Sequence, residues 1–91
     1  MLRIITERFG GTYRFELHGS LAGDWVDVLE RHWRDTLDAA PSALVTVGLS
    51  NVEFIDAEGE RLLRCMAQRG VEFDGDGCMN RYVIEKISGG V

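Results

Sequence analysis

The sequence predicts a small α/β domain: a mixed sheet of about four strands, starting with an N-terminal hairpin, and about three helices packed mainly on one face. Three observations favour this class. Two strand-like segments flank a Gly-Gly pair in residues 2–18, apolar side chains recur at helical spacing in residues 25–40 and 57–69, and short apolar runs separate the helical segments. Alternating strands and helices are typical of parallel strands joined by right-handed crossovers.

The length indicates one domain. Ninety-one residues are too few for two parts that each bury a core, so we expect a single domain over residues 1–91. No internal repeat or linker interrupts the sequence.

The first two strands are predicted from side-chain alternation. Residues 2–9 place apolar side chains among polar ones, and in Thr12–His18 the apolar residues Tyr13, Phe15 and Leu17 share one face. The intervening Gly10-Gly11 is typical of a tight hairpin turn. We expect a loop over residues 19–23.

The first helix is expected from Trp25 to about Ala40. Asp24 stands where an N-cap belongs, and Pro41 ends the helix. The apolar positions recur every three or four residues and form one stripe. They are Trp25, Val26, Leu29, Trp33 and Leu37.

The second half of the sequence predicts two more strands and two more helices. The apolar run Ala43–Val47 indicates a central strand covered on both faces. A turn at residues 48–51 and the segment Val52–Ile55 precede a helix that Asp56 opens and Gly70 ends. A short strand over Val71–Phe73, a loop, a third helix over residues 78–87 and a fraying tail complete the expected order.

Charge and composition exclude several function classes. The net charge is −5 and no basic stripe is present, which disfavours nucleic acid and anionic membrane surfaces as partners. No signal peptide or membrane-spanning run is visible, so we expect a cytoplasmic protein without membrane insertion. Cys65 and Cys78 are therefore expected as reduced, buried thiols.

The residues of common catalytic and metal sites are not combined in a recognisable way. His18 and His32 lie outside any nucleophile motif, and the two cysteines lack zinc-ligand spacing. The segment Asp74–Gly77 is better interpreted as a solvated turn than as a calcium loop, because the later bidentate acid is missing. We expect no enzymatic activity, no metal and no cofactor.

Residues 44–59, with the sequence LVTVGLSNVEFIDAEG, carry the most specific motif. This stretch resembles the signature of the STAS domain, the fold of bacterial anti-sigma-factor antagonists and of the cytoplasmic tails of sulfate transporters. The segment FELHGSL at residues 15–21 resembles the second strand and glycine loop of that family. The resemblance implies a signalling protein of bacterial transcription regulation, whose partner is an anti-sigma factor or a serine-kinase-like protein.

The resemblance also implies where regulation occurs and how this chain departs from it. In the family, the serine after the aspartate is phosphorylated by the partner kinase. Ala57 occupies that position, so the resemblance implies no phosphorylation site and a constitutive or scaffold-like module. Glu58 stands at the second hydroxyl position. It is interpreted as a first-turn acid that the helix dipole favours, and the alternative is that its fixed charge partly mimics a phosphate. Gly48 replaces an aspartate common in the family beside the site, whereas Asp56 and Gly59 match.

The second helix start is the expected contact surface, since free N–H groups at a helix start attract anionic groups. The candidate partner-binding residues are Ser20, Leu21, Asn51, Asp56, Ala57, Glu58, Glu60 and Arg61. An alternative is the binding of a lipid or nucleotide, or a transporter-associated role, which an apolar cavity under Trp25, Trp33 and Phe73 would favour. The sequence leaves the oligomeric state open.

Overall fold

The computed structural model describes residues 1–75, which form four strands and two helices. Their order along the chain is β-β-α-β-α-β. The elements are β1 (Leu2–Phe9), β2 (Thr12–Leu21), α1 (Asp24–Ala39), β3 (Leu44–Ile55), α2 (Ala57–Gln68) and β4 (Glu72–Asp74).

The four strands form one mixed sheet in the order β1-β2-β3-β4. β1 and β2 pair antiparallel around the Gly10-Gly11 turn, whereas β2–β3 and β3–β4 are parallel. Gly10 has a φ of 60°, as the first central position of a type II′ hairpin turn requires. The predicted hairpin, the mixed sheet and the central position of β3 are confirmed.

Both helices pack on the same face of the sheet. The alternating side chains Phe15 and Leu17 of β2 are fully buried there, next to the β3 residues Val45, Val47 and Leu49. The helices cover them with the apolar stripes that their sequences predict. Those stripes consist of Val26, Leu29 and Trp33 on α1 and Leu62, Leu63 and Met66 on α2.

Two strands are longer than their sequences predict. β2 continues through Gly19 to Leu21, where a loop is expected, and β3 continues without a break through the turn expected at residues 48–51. Both predictions were wrong because glycine-rich composition is a local signal, whereas the parallel pairing of the two strands extends to Leu21 and Ile55. Register shifts near His18 and Ser20 absorb the irregularity.

Three side-chain predictions also need correction. Gly23, not Asp24, occupies the N-cap position of α1, and Asp24 begins the helix proper. Cys65 is exposed rather than buried, because it lies off the apolar stripe of α2. Trp25, expected in the core, is 37% exposed. The described residues contain two helices. The predicted third helix at residues 78–87, Cys78 and the tail lie outside the described residues.

Candidate functional site

The candidate site lies at the start of α2, next to the ends of two parallel strands. Leu21 and Ile55, the last residues of β2 and β3, are paired in register. Asp56 follows Ile55 directly, and α2 begins one residue later. We call residues 56–61 the α2 tip. The parallel pairing therefore brings the loop between β2 and α1 next to the α2 tip.

Asp56 joins the α2 tip to the start of α1 through its side chain. Its Oδ1 accepts a hydrogen bond of 2.7 Å from the Gly59 N–H, which is the helix cap that the sequence predicts. Its Oδ2 accepts a second bond of 2.9 Å from the N–H of Gly23. The backbone N–H of Asp56 donates to the Leu21 carbonyl at 3.1 Å. One residue thus links the starts of both helices to the end of β2.

These hydrogen bonds determine the ionisation of Asp56. The N–H of Gly23 and then the N–H of Gly59 stabilise the carboxylate, so the pKa of Asp56 lies below its usual value of 3.8. The negative charge also occupies the place where an external anion would bind. The α2 tip is consequently not an open phosphate site, contrary to what a helix start alone suggests.

Gly59 lets α2 approach the sheet closely. A β-carbon at this position would lie 2.5 Å from the Leu21 carbonyl oxygen and 3.1 Å from Cγ2 of Ile55. Gly59 is buried although it belongs to the first turn of the helix. Because a backbone carbonyl cannot move aside as a side chain can, a glycine is needed here for reasons of space.

The outward side of the α2 tip carries the charged residues. Ala57 and Glu58 are exposed, and Oε1 of Glu58 accepts from Nη1 of Arg61 at 2.6 Å. The side chain of Glu58 remains 64% exposed and that of Arg61 71% exposed, so this ion pair is weak and open to competition. Glu60 is partly buried and pairs with Arg64 at 3.1 Å.

The remaining predicted contact residues differ in accessibility. Leu21 is fully buried, so its side chain supports the α2 tip from below and does not present a contact surface. Ser20 is half-buried on β2, opposite Phe54. Asn51 is exposed but lies within β3, where its Nδ2 donates to Oε1 of Glu16 at 3.3 Å. Asn51 therefore belongs to a different cluster from the α2 tip.

That second cluster lies on the sheet face opposite the helices and was missed in the sequence. Arg14 donates to both carboxylate oxygens of Asp74, at 2.6 and 3.0 Å, and to Glu16 at 3.0 Å. The bonds to Arg14 hold the pKa of Asp74 below its usual value, and those acids raise the pKa of Arg14. Sixty positions separate Arg14 from Asp74, so no local motif indicates the pair.

Gly48 belongs to this cluster and not to the α2 tip. It lies in the middle of β3, paired with Glu16 on one side and Asp74 on the other. A β-carbon at Gly48 would meet Glu16 Oε2 and Arg14 Nη2. The missing side chain thus leaves the room that the Arg14–Glu16 ion pair occupies. The expectation that Gly48 lies beside the site is corrected accordingly.

Side-chain clusters and cavities within residues 1–75 bear on metal and small-ligand binding. Within residues 1–75, no three His, Cys, Asp or Glu side chains converge as metal ligands. Trp33 lines a cavity of about 130 Å³ that neither Trp25 nor Phe73 lines, whereas pockets for drug-sized ligands measure roughly 300–1,000 Å³. Two depressions along α1, of about 330 and 480 Å³, reach that size but are wide open to solvent, and the second is lined only by charged side chains. Neither described helix is long and apolar enough to cross a bilayer.

Comparison with known proteins identifies the fold. No family model and no curated protein matches the sequence. Among solved structures, an anti-sigma factor antagonist from Mycobacterium paratuberculosis is similar with a TM-score of 0.78 and 20% identity, over 93% of this chain and 76% of that one. An uncharacterized protein with a SpoIIAA-like fold from Shewanella loihica gives a TM-score of 0.61 at 11% identity, over 89% of this chain and 71% of that one.

The fold is therefore that of STAS domains, also described as SpoIIAA-like, as the motif at residues 44–59 predicts. A protein named Mglu contains a similar unit, with a TM-score of 0.61 and 22% identity over 81% of this chain but only 19% of its own length. Such a unit thus occurs both as most of a small protein and as a minor part of a larger one. At these identities the similarity is one of fold.

Replacing Gly59 with alanine tests the close approach at the α2 tip. Alanine normally stabilises a helix relative to glycine, but here its β-carbon would collide with the Leu21 carbonyl. We expect Gly59→Ala to lower the free energy of unfolding by about 1–3 kcal/mol, measured by urea denaturation. Cys65→Ala, at an exposed position of the same helix, should be neutral or slightly stabilising. Equal stability of wild type and Gly59→Ala would contradict the packing described.

Acid unfolding tests the two hydrogen bonds by which the Asp56 carboxylate joins the starts of the helices. The pKa of Asp56 is lower in the folded state than its usual 3.8, so the unfolded chain binds more protons. The stabilisation is complete above about pH 5 and is lost as the pH falls through the folded-state value. Asp56→Asn keeps an acceptor for Gly59 but turns an N–H group toward Gly23.

We expect Asp56→Asn to be less stable than wild type at pH 7 and to lose less stability between about pH 5 and pH 2, measured by chemical denaturation at each pH. Asp74→Asn should flatten the same profile independently, because Asp74 is bonded to Arg14 in another cluster. A dependence of stability on pH that is the same for Asp56→Asn and wild type would contradict the hydrogen bonds assigned to the Asp56 carboxylate.

Proposed function

We propose that this protein is a non-catalytic protein–protein interaction module of the anti-sigma-factor antagonist type, which binds its partner through the α2 tip. The observation that carries the proposal is an exposed, fixed helix start with Ala57 and Glu58 on its outer side. The similarity in fold to an anti-sigma factor antagonist supports it. The partner is an anti-sigma factor or a related serine-kinase-like protein of the bacterial cytoplasm, acting in transcription regulation.

The rigidity of the α2 tip favours recognition by a protein. Asp56 is bonded to Gly23 and Gly59, and Gly59 packs against the Leu21 carbonyl. A surface held in this way loses little conformational freedom when a partner docks, which raises affinity without additional contacts.

The chemistry of the α2 tip favours a permanent binding state. Ala57 has no hydroxyl group, so the phosphorylation that controls partner exchange in the STAS family has no acceptor at this position. Glu58 contributes a fixed charge, partly balanced by Arg61. A partner that carries a basic group can displace Arg61, since an exposed ion pair is weak. We infer that binding is constitutive, and that the module acts as an antagonist or scaffold.

Photo-cross-linking in cells tests the location of the contact surface. A benzophenone amino acid at position 57 should cross-link to one protein that carries an ATP-binding domain of the serine-kinase type. The same probe at Val28, which is exposed on α1, serves as the matched control and should not capture that protein. Capture from Val28 alone would place the interface elsewhere and contradict the proposal.

The captured partner, once purified, allows the role of charge to be measured by calorimetry. We expect Glu58→Gln to weaken binding by about threefold or more, whereas the control Glu53→Gln, at an exposed position of β3, should bind like wild type. Equal affinity of Glu58→Gln and wild type would remove the support for a charge-based contact.

Ala57→Ser, incubated with the partner and ATP, should acquire a phosphate at residue 57 that mass spectrometry detects, and the modified protein should bind more weakly. A serine that stays unmodified would show that the partner no longer presents a kinase site to the α2 tip.

A further inference from the structure

Among the described residues, β1 is an edge strand, and no other strand pairs with its outer backbone groups. Within residues 1–75 it has a neighbouring strand on one side only. The Met1 carbonyl accepts from the N–H of Ser20 at 2.8 Å, so Met1 directs its backbone toward β2. Because this orientation alternates along an antiparallel ladder, every second residue directs its N–H and C=O outward. These residues are Leu2, Ile4, Thr6 and Arg8.

The alternate residues, starting from Met1 just before the strand, expose an ordered series of side chains on the face opposite the helices. The apolar members are Met1, 83% exposed, Ile5, 37% exposed, and Phe9, 64% exposed. Arg3 and Glu7 lie between them, and in the described part of the chain neither has an ion-pair partner. Along the strand, the order is apolar, basic, apolar, acidic, apolar.

This order is complementary to itself when the strand direction is reversed. We propose that a second copy of this chain pairs antiparallel with β1 and forms a two-fold dimer with a continuous eight-stranded sheet. The two-fold axis passes beside Ile5, which faces the partner's Ile5. Arg3 then faces the partner's Glu7, and Phe9 faces the partner's Met1.

The register follows from hydrogen bonding and charge together. With the axis at Ile5, the outward-directed residues oppose one another and make the intermolecular backbone bonds, as in Ile4 opposite the partner's Thr6. Arg3 and Glu7 fall at non-bonded pairs, where opposing side chains are closest. A slide of two residues sets each charge opposite an apolar side chain, and a slide of four sets like charges opposite each other.

A two-fold pairing also closes the assembly. Each copy uses its β1 edge once, so the dimer exposes no further copy of that edge, and growth into a fibre through β1 is prevented. The charged residues thus specify one partner and one register for an edge that would otherwise pair without selectivity.

Charge reversal with mixing tests the proposal by sedimentation equilibrium and native mass spectrometry. We expect wild type to show a monomer–dimer equilibrium at concentrations up to about 1 mM. Arg3→Glu and Glu7→Arg should each weaken the dimer about tenfold or more, because each variant opposes like charges. An equimolar mixture of the two variants should form a heterodimer with near wild-type affinity, since every opposed charged pair is then acid against base.

The control variants Arg69→Glu and Glu53→Arg make the same charge changes away from β1 and should dimerise like wild type. Recovery on mixing separates the proposal from a folding defect, because a locally damaged sheet would not be repaired by a second damaged copy. Wild type that stays monomeric, single variants that dimerise normally, or a mixture that does not recover would each overturn the proposal.

Discussion

The carboxylate of Asp56 is the interaction on which the arrangement of the helical layer depends. It accepts hydrogen bonds from Gly59 at the start of α2 and from Gly23 before α1, two positions that lie far apart in the sequence. Each N–H would otherwise remain unpaired at a helix start. By satisfying both, one charged group fixes where the two helices begin relative to each other and to the end of β2. The packing of Gly59 on Leu21 depends on that placement.

The same interaction changes what the α2 tip can bind. A free helix start attracts anions, but here a carboxylate from the chain itself occupies it. We therefore propose that recognition falls to the residues outside the cap, above all Ala57 and Glu58. In the proposed function, structural support and partner contact are divided between neighbouring residues. Asp56 and Gly59 hold the backbone, whereas Ala57 and Glu58 between them are exposed and can vary in chemistry without loss of the fold.

Sequence patterns predicted the elements that depend on short-range periodicity. The β1–β2 hairpin, the apolar stripes of both helices and the Asp56 cap all follow from residues within a few positions of one another. The extent of β3 could not be predicted in this way. Residues 48–51 have the composition of a turn, but pairing with β2 keeps them extended, and β4 pairs with Gly48 as well. The hydrogen bond from Gly23 to Asp56 and the burial of Leu21 could likewise not be predicted, because both depend on parallel pairing between distant segments.

The Arg14–Asp74 pair has a consequence for how the sheet assembles. It joins β2 to the short strand β4 across β3, and its members are sixty positions apart. A contact between such distant residues closes a long loop, which is a slow and entropically costly step. The hairpin and the helix caps, being local, can form before it. We therefore expect this ion pair to form after them, so that its removal would speed the opening of β4 more than it slows folding.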